Sequence, residues 1–487
     1  HIALYLDQGA TILAADPVEG TGCYDSAEPN EWDLYQDFGH SHWHNSLIWG
    51  ENLANISILG PGLIYGKGLT RWGPGPRRPT QPGDAPISLD GEPADAARPG
   101  GPPVPMGAHG RVQGGSGFAP AGMPDEPASM EGQGNKAIAL KLCRNVVLRD
   151  FSVLQGGHFA LLATGVDNLT IDNLKIDTNR DGLDIDCCRN VRIANCSVNS
   201  PNDDGICLKS SYALGSARAM ENVTITNCQV SGYDLGTMLD GTFGRTQELA
   251  PDKDRVTGRI KCGTESNGGF KNITISNCVC ERSRGLALET VDGGVIEDIT
   301  ITNIAMREVT TSPLFLRLGN RARGPENTPV GTIRRINISD IVVSDADPHY
   351  ACIIAGLPGH PIEDVRLSNI HIVYQGSGTA ADAALEPPER ESTYPEPSMF
   401  GTIPAYGFFV RHAKNLEMHH VEVSYEKEER RPVVVLDDVA GADFQAVKAR
   451  RSPGVPFFVL RRVRDFAVRH CPGLPDTHRA EADEELL

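Results

Sequence analysis

NVVLRDFSV, residues 145–153, is one copy of a phrase that recurs along this chain. It returns as NLTIDNLKI from Asn168, NVRIANCSV from Asn190, NVTITNCQV from Asn222 and NITISNCVC from Asn272. Weaker copies start at Asp298, Arg335, Asp364 and Asn415, and an earlier one, NISILGPGL, starts at Asn55. The first steps, 145 to 168 and 168 to 190, are 23 and 22 residues long. A repeat this short cannot bury its apolar face alone, so copies must stack into a solenoid.

Within each copy apolar and polar residues alternate, as in Val191, Ile193, then Cys196, Val198. Period-two alternation with β-branched residues means strands. The Asn between two apolar pairs suits a tight bend, because Asn tolerates left-handed backbone. No helix-length amphipathic segment separates the copies. Two strands per coil without helices predict a single-stranded right-handed parallel β-helix, an all-β solenoid. Leucine-rich repeats need a Leu-rich consensus that is absent.

A solenoid can remain one domain at 487 residues, and one β-helical domain is expected over 1–474. Two Gly- and Pro-rich segments break its rhythm, about 67–134 and about 375–406, and both are expected to project from the coil. Residues 475–487, ending EADEELL, read as a solvated acidic tail. The net charge of −18 and the pI of about 5.2 argue against a nucleic-acid partner. No run of 18 apolar residues suggests a membrane-spanning helix. The chain opens at His1 directly in a strand-like run, so a mature or trimmed form is expected.

The 12 cysteines do not form a disulfide framework. Cys196, Cys228 and Cys278 share one register in successive copies, where a free thiol acts as a small hydrophobe. Cys187 and Cys188 are adjacent and should point to opposite faces. Cys278 and Cys280 lie in a repeat strand and should pack. No paired CxxC or His motif indicates zinc, and no metal or other cofactor is expected.

The acidic residues concentrate in TNRDGLDID, 178–186, and SPNDDGICLKSS, 200–211. Asp181 and the pair Asp203–Asp204 are about one coil apart, so three carboxylates should converge. Two carboxylates flanking a bond are the working parts of glycoside hydrolysis. Crowding raises their pKa values and can keep one protonated. Turn-forming Asp and calcium-ligating Asp are the alternatives for the same residues.

The order Asn179-x-Asp181-Gly182, then Asp203-Asp204, then Arg259-Ile260-Lys261 resembles the polygalacturonase family, glycoside hydrolase family 28. The likeness is to a divergent bacterial- or plant-like member, strongest over 145–294. It implies a β-helix that cleaves pectin with inversion. It implies Asp203 as general acid, with Asp181 and Asp204 activating water. Arg259 and Lys261 become the pair that grips the substrate carboxylate, for which a guanidinium fork and a compact ammonium are suited. Lys209 is assigned a substrate contact. Asn179, Arg180 and His158 complete the expected substrate-binding set. The family's Gly-His-Gly should fall near SGYDLGTMLDG, 231–241, where no His stands. Tyr233, Asp234 or Asp240 would then have to compensate. The insertions suggest a walled groove and exo action on a pectic chain, by an exported protein, periplasmic or secreted, with a monomer favoured. A calcium-dependent lyase and a non-catalytic carbohydrate-binding β-helix are the competing functions.

Overall fold

A computed structural model describes residues 2–17, 24–36, 39–71, 130–250 and 253–487. It divides into two compact units, the first ending at Lys261 and the second running from Cys262 to Leu487. The described residues are mostly strand, and among them the one α-helical turn is Thr237–Asp240.

In the first unit the chain winds through three parallel columns of strands. One column stacks Ile2–Tyr5, Ala54–Leu59, Arg144–Arg149, Asp167–Asp172, Arg189–Ala194 and Met220–Thr226. A second stacks the three-residue strands Thr11–Leu13, Leu63–Tyr65, Ser152–Leu154, Lys175–Asp177, Ser197–Asn199 and Gln229–Ser231. The third stacks Ser46–Glu51, Lys136–Lys141, Phe159–Thr164, Asp181–Asp186 and Ile206–Ser210. Each coil thus has three strands rather than the two expected. The repeat phrase supplies two of them, and the third follows it in less regular sequence.

The bends explain the repeated Asn. Asn145, Asn168, Asn190 and Asn222 all have φ between 55° and 59°, a left-handed backbone that Asn adopts at low cost. Their amides form a ladder. Asn168 Nδ2 donates to Asn145 Oδ1 at 2.9 Å, Asn190 to Asn168 at 3.3 Å and Asn222 to Asn190 at 3.2 Å. Inside the coils Leu169, Ile171, Val191, Ile193, Val223 and Ile225 are buried, so each strand's apolar half lies in the core.

In the second unit the repeat phrase becomes one long bent strand per coil. Phe270–Ser283, Val295–Val309, Thr332–Ala346 and Ile362–Tyr374 pair in parallel, followed by Phe408–Tyr425. Shorter strands Leu286–Thr290, Leu314–Leu318 and Cys352–Ala355 fill the remaining side.

Two expectations are refined. Residues 375–406 do not simply project: Met399, Phe400 and Ile403 are buried. Arg411 Nη1 and Nη2 donate to the carbonyls of Pro387 and Pro388 at 2.7 and 3.0 Å, pinning the segment to its own unit. Apolar side chains in a polar-looking insertion gave it a core to join. The tail is also ordered, with Thr477–Leu486 pairing antiparallel to Phe458–Arg469. Of the first insertion, 72–129 lie outside the described residues. The 11 described cysteines are all free and buried, Cys187 and Cys188 included.

Candidate active site

The register carries the acids to one place. Asp181 pairs with Phe159 on one side, and Leu183 pairs with Ile206 on the other. The Gly182 amide donates to the Asp204 carbonyl at 3.0 Å, so Asp204 lies one coil from Asp181. Gly182 permits this approach: a Cβ there would stand 2.4 Å from the Gly205 carbonyl oxygen. Gly258 and Gly205 amides in turn donate to the carbonyls of Asp203 and Arg259, which fixes the next coil against the pair of acids.

The three carboxylates meet different surroundings. Asp204 is clamped by Arg259 Nε at 2.6 Å and Lys261 Nζ at 3.2 Å, all three side chains being buried. Burial alone would raise its pKa, but Arg259, Lys261 and Lys209 override it and hold the carboxyl below the usual range. Asp203 faces Arg180 Nη1 and Lys253 Nζ, each at 3.5 Å. Its side chain is the most open of the three, 17% exposed against 5% for Asp181 and 3% for Asp204. Asp181 has the His158 imidazole near it, with Nε2 at 3.6 Å. Burial, then the neighbouring Asp184 and Asp203 charges, push its carboxyl well above the usual range. One donor atom each of Asp181 and Asp203 lies within 4.8 Å of the other.

The remaining expected residues are also here, with sharper roles. Arg180 does not face solvent: it is buried, and Nη1 also donates to the Asn202 carbonyl at 3.1 Å. Asn179 is buried, and its Oδ1 accepts from Asn202 Nδ2 and from Gln247 Nε2, so it braces the acidic loops. Lys209 Nζ stands 3.9 Å from Asp184 Oδ2. His158 is buried, its Nδ1 2.7 Å from the Arg71 carbonyl oxygen. Burial, with Arg180, His40 and Arg71 nearby, holds its pKa well below the usual imidazole value.

The stretch where the family histidine was expected serves its own loop. Asp234 accepts from the amides of Thr246 and Gln247, both at 2.8 Å, and exposed Asp240 accepts from Thr242. The Tyr233 amide donates to Asn199 Oδ1 at 2.7 Å. The histidines beside the acids come from elsewhere. His40 Nε2 stands 3.2 Å from Asp184 Oδ2. The rings of His40 and His158 both pack on Phe159, with centroids 4.5 Å away. His40 belongs to HSHWH, residues 40–44, anchored by Trp43, which is fully buried with Phe159 and Leu162 and donates to Thr164 Oγ1 at 3.0 Å. Sequence reasoning missed His40 and Asp184. The signal was this His-rich run, some 140 residues upstream of the acids.

The comparisons point the same way. A family model described as right-handed beta helix region matches residues 129–237. A probable polygalacturonase of Vitis vinifera is 24% identical over 246 residues, covering 47% of this chain and 43% of that protein. The chain therefore matches less than half the length of that relative. A hyperthermoactive exopolygalacturonase of Thermotoga maritima superposes with TM-score 0.51 at 16% identity, over 86% of this chain and 79% of that one, a likeness of fold. A family 28 exopolygalacturonase of Yersinia enterocolitica follows with TM-score 0.46 and 12% identity, over 96% and 69%. The chain is a right-handed parallel β-helix whose fold is similar to that of the Thermotoga maritima exopolygalacturonase.

Proposed function

We propose that this chain is a glycoside hydrolase of α-linked galacturonic acid or a related pectic sugar, acting from a chain end with inversion. The observation that carries the reading is the convergence of Asp181, Asp203 and Asp204 from adjacent coils, ringed by Arg180, Lys209, Arg259 and Lys261. Asp203, the most open of the three, donates the proton to the leaving oxygen. Asp181 and Asp204 position the attacking water. Arg259 and Lys261 share their hydrogen bonds between Asp204 and the substrate carboxylate, and Lys209 contacts the sugar.

Inversion rests on two candidate bases beside one acid, not on spacing. Inverting enzymes hold their carboxyls about 6.5–9.5 Å apart, and Asp181 approaches Asp203 more closely than that. Exo action rests on the exopolygalacturonase whose fold this chain shares. A polymeric substrate places the protein outside the cytoplasm, periplasmic or secreted. Digestion of defined oligogalacturonides tests the whole reading. A monosaccharide of β configuration, seen by proton NMR in the first minutes, is expected. Oligomers first would refute exo action, initial α configuration would refute inversion, and an unsaturated product would replace the hydrolase with a lyase.

A further inference from the structure

Three carboxylate oxygens of this site are buried and accept no hydrogen bond. Asp181 is 3% exposed and Asp184 fully buried, and Asp181 Oδ1 and both oxygens of Asp184 accept none among the described residues. A buried acceptor without a donor costs free energy unless a proton, a water or a cation meets it. Beside them stand two imidazoles. One donor atom from each of His40, Asp181 and Asp184 lies within 4.8 Å of the other two. The same holds for His158, Asp181 and Asp203, so Asp181 is common to both groups.

We propose that His40, Asp181 and Asp184 form a binding site for one divalent cation of the zinc, manganese or cobalt class. The donor set decides the class. Imidazole nitrogen with carboxylate oxygen suits borderline transition metals, whereas calcium takes oxygen ligands alone. Bonds of about 2.0–2.2 Å at tetrahedral or octahedral angles put ligand atoms roughly 3–4 Å apart. His40 Nε2 and Asp184 Oδ2 already stand at 3.2 Å, and a carboxylate oxygen of Asp181 lies within 4.8 Å of the ligand atoms of both. Phe159 holds the His40 ring from one side, at 4.5 Å between centroids, as a ligand's orienting neighbour should.

Neighbouring charge makes Asp181 the deciding ligand. Asp204 has Arg259 and Lys261, Asp203 has Arg180 and Lys253, and Asp184 has Lys209 at 3.9 Å as well as His40. An ion bound at Asp181 takes the place of one of the groups that the proposed hydrolysis needs, so occupancy inhibits rather than assists. The inference is separable from that reaction, because it is read by metal content and not by turnover.

The test uses the full purified chain, stripped with chelator and dialysed against zinc, manganese or calcium. Metal per chain is measured by atomic emission, and affinity by calorimetry. One equivalent of zinc or manganese and no calcium is expected. His40→Gln and Asp184→Asn should each weaken zinc binding about ten- to a hundredfold. The visible spectrum of the cobalt-loaded wild type should show nitrogen and oxygen ligation without a thiolate charge-transfer band. A sub-stoichiometric trace in the wild type overturns the site. So does unchanged affinity in both folded variants, or a thiolate band, which would put the ion on the buried cysteines. If circular dichroism shows that either variant does not fold, the wild-type stoichiometry and cobalt spectrum still decide.

Discussion

Two ion-paired groups, one taken from each unit, meet water in opposite ways. On the coils of the second unit, Arg366 bonds Glu417 in a two-pronged pair at 2.8 and 3.1 Å, and both side chains are largely exposed. In the first unit Arg259 and Lys261 bond Asp204 with all three side chains buried. Water screens the first pair and makes either partner dispensable. Nothing screens the second, so each charge depends on the others. Surface pairs decorate a repeat, while buried ones commit it to a task.

The sharpest way to break that contrast is the acid itself. Asp203→Asn should reduce hydrolysis about 10²–10⁴-fold with the fold intact, measured as initial rate beside a circular dichroism spectrum. Near-normal turnover would remove Asp203 as proton donor. Next comes stability. Arg259→Ala should cost about 3–5 kcal/mol by stranding the buried Asp204. Arg366→Ala should cost under about 1 kcal/mol. Equal losses in urea denaturation would erase the distinction between the two pairs. Gly182→Ala tests the close approach that sets the acids one coil apart. Its Cβ would press on the Gly205 carbonyl oxygen at 2.4 Å and should cost about 1–3 kcal/mol.

The smallest expected effect lies between these extremes of burial. His412 joins the 375–406 segment to a coil, with Nε2 3.0 Å from Glu389 Oε1 and Nδ1 2.6 Å from Asp438 Oδ2. Burial lowers its pKa, but the two carboxylates outweigh it and raise the value above 6.5. A raised folded-state value means stability fully present below pH 6.5 and lost as pH climbs through the folded value. His412→Gln should remove that slope from denaturation midpoints taken between mildly acid and alkaline pH. A slope that persists would assign it to other groups.

Much of this was legible in the sequence because a solenoid turns sequence spacing into spatial stacking. The Asn at each bend, the alternating Val and Ile, and the acids at 181 and 203–204 are all local signals repeated at coil length. What was not legible breaks that rule. His40 reaches Asp184 from a segment outside the repeat, through the packing of Trp43, and no spacing predicts it. Residues 397–400 look like loop in sequence but carry Met399 and Phe400 into a core. The tail's charges suit a solvated end, and they also suit an edge strand that buries little beyond Ala482.

The asparagine ladder has a direction. In every rung quoted, the later coil's amide donates to the earlier coil's oxygen, and Asn415 does the same to Asp364 at 2.8 Å in the second unit. A carboxylate can therefore replace Asn where a coil only receives, as Asp364 does, but not where it must give. Where the later coil brings Asp instead, as at Asp298 and Asp364, the rung back to the earlier coil cannot form from its side chain. Asn can both give and receive in such a ladder, whereas Asp can only receive.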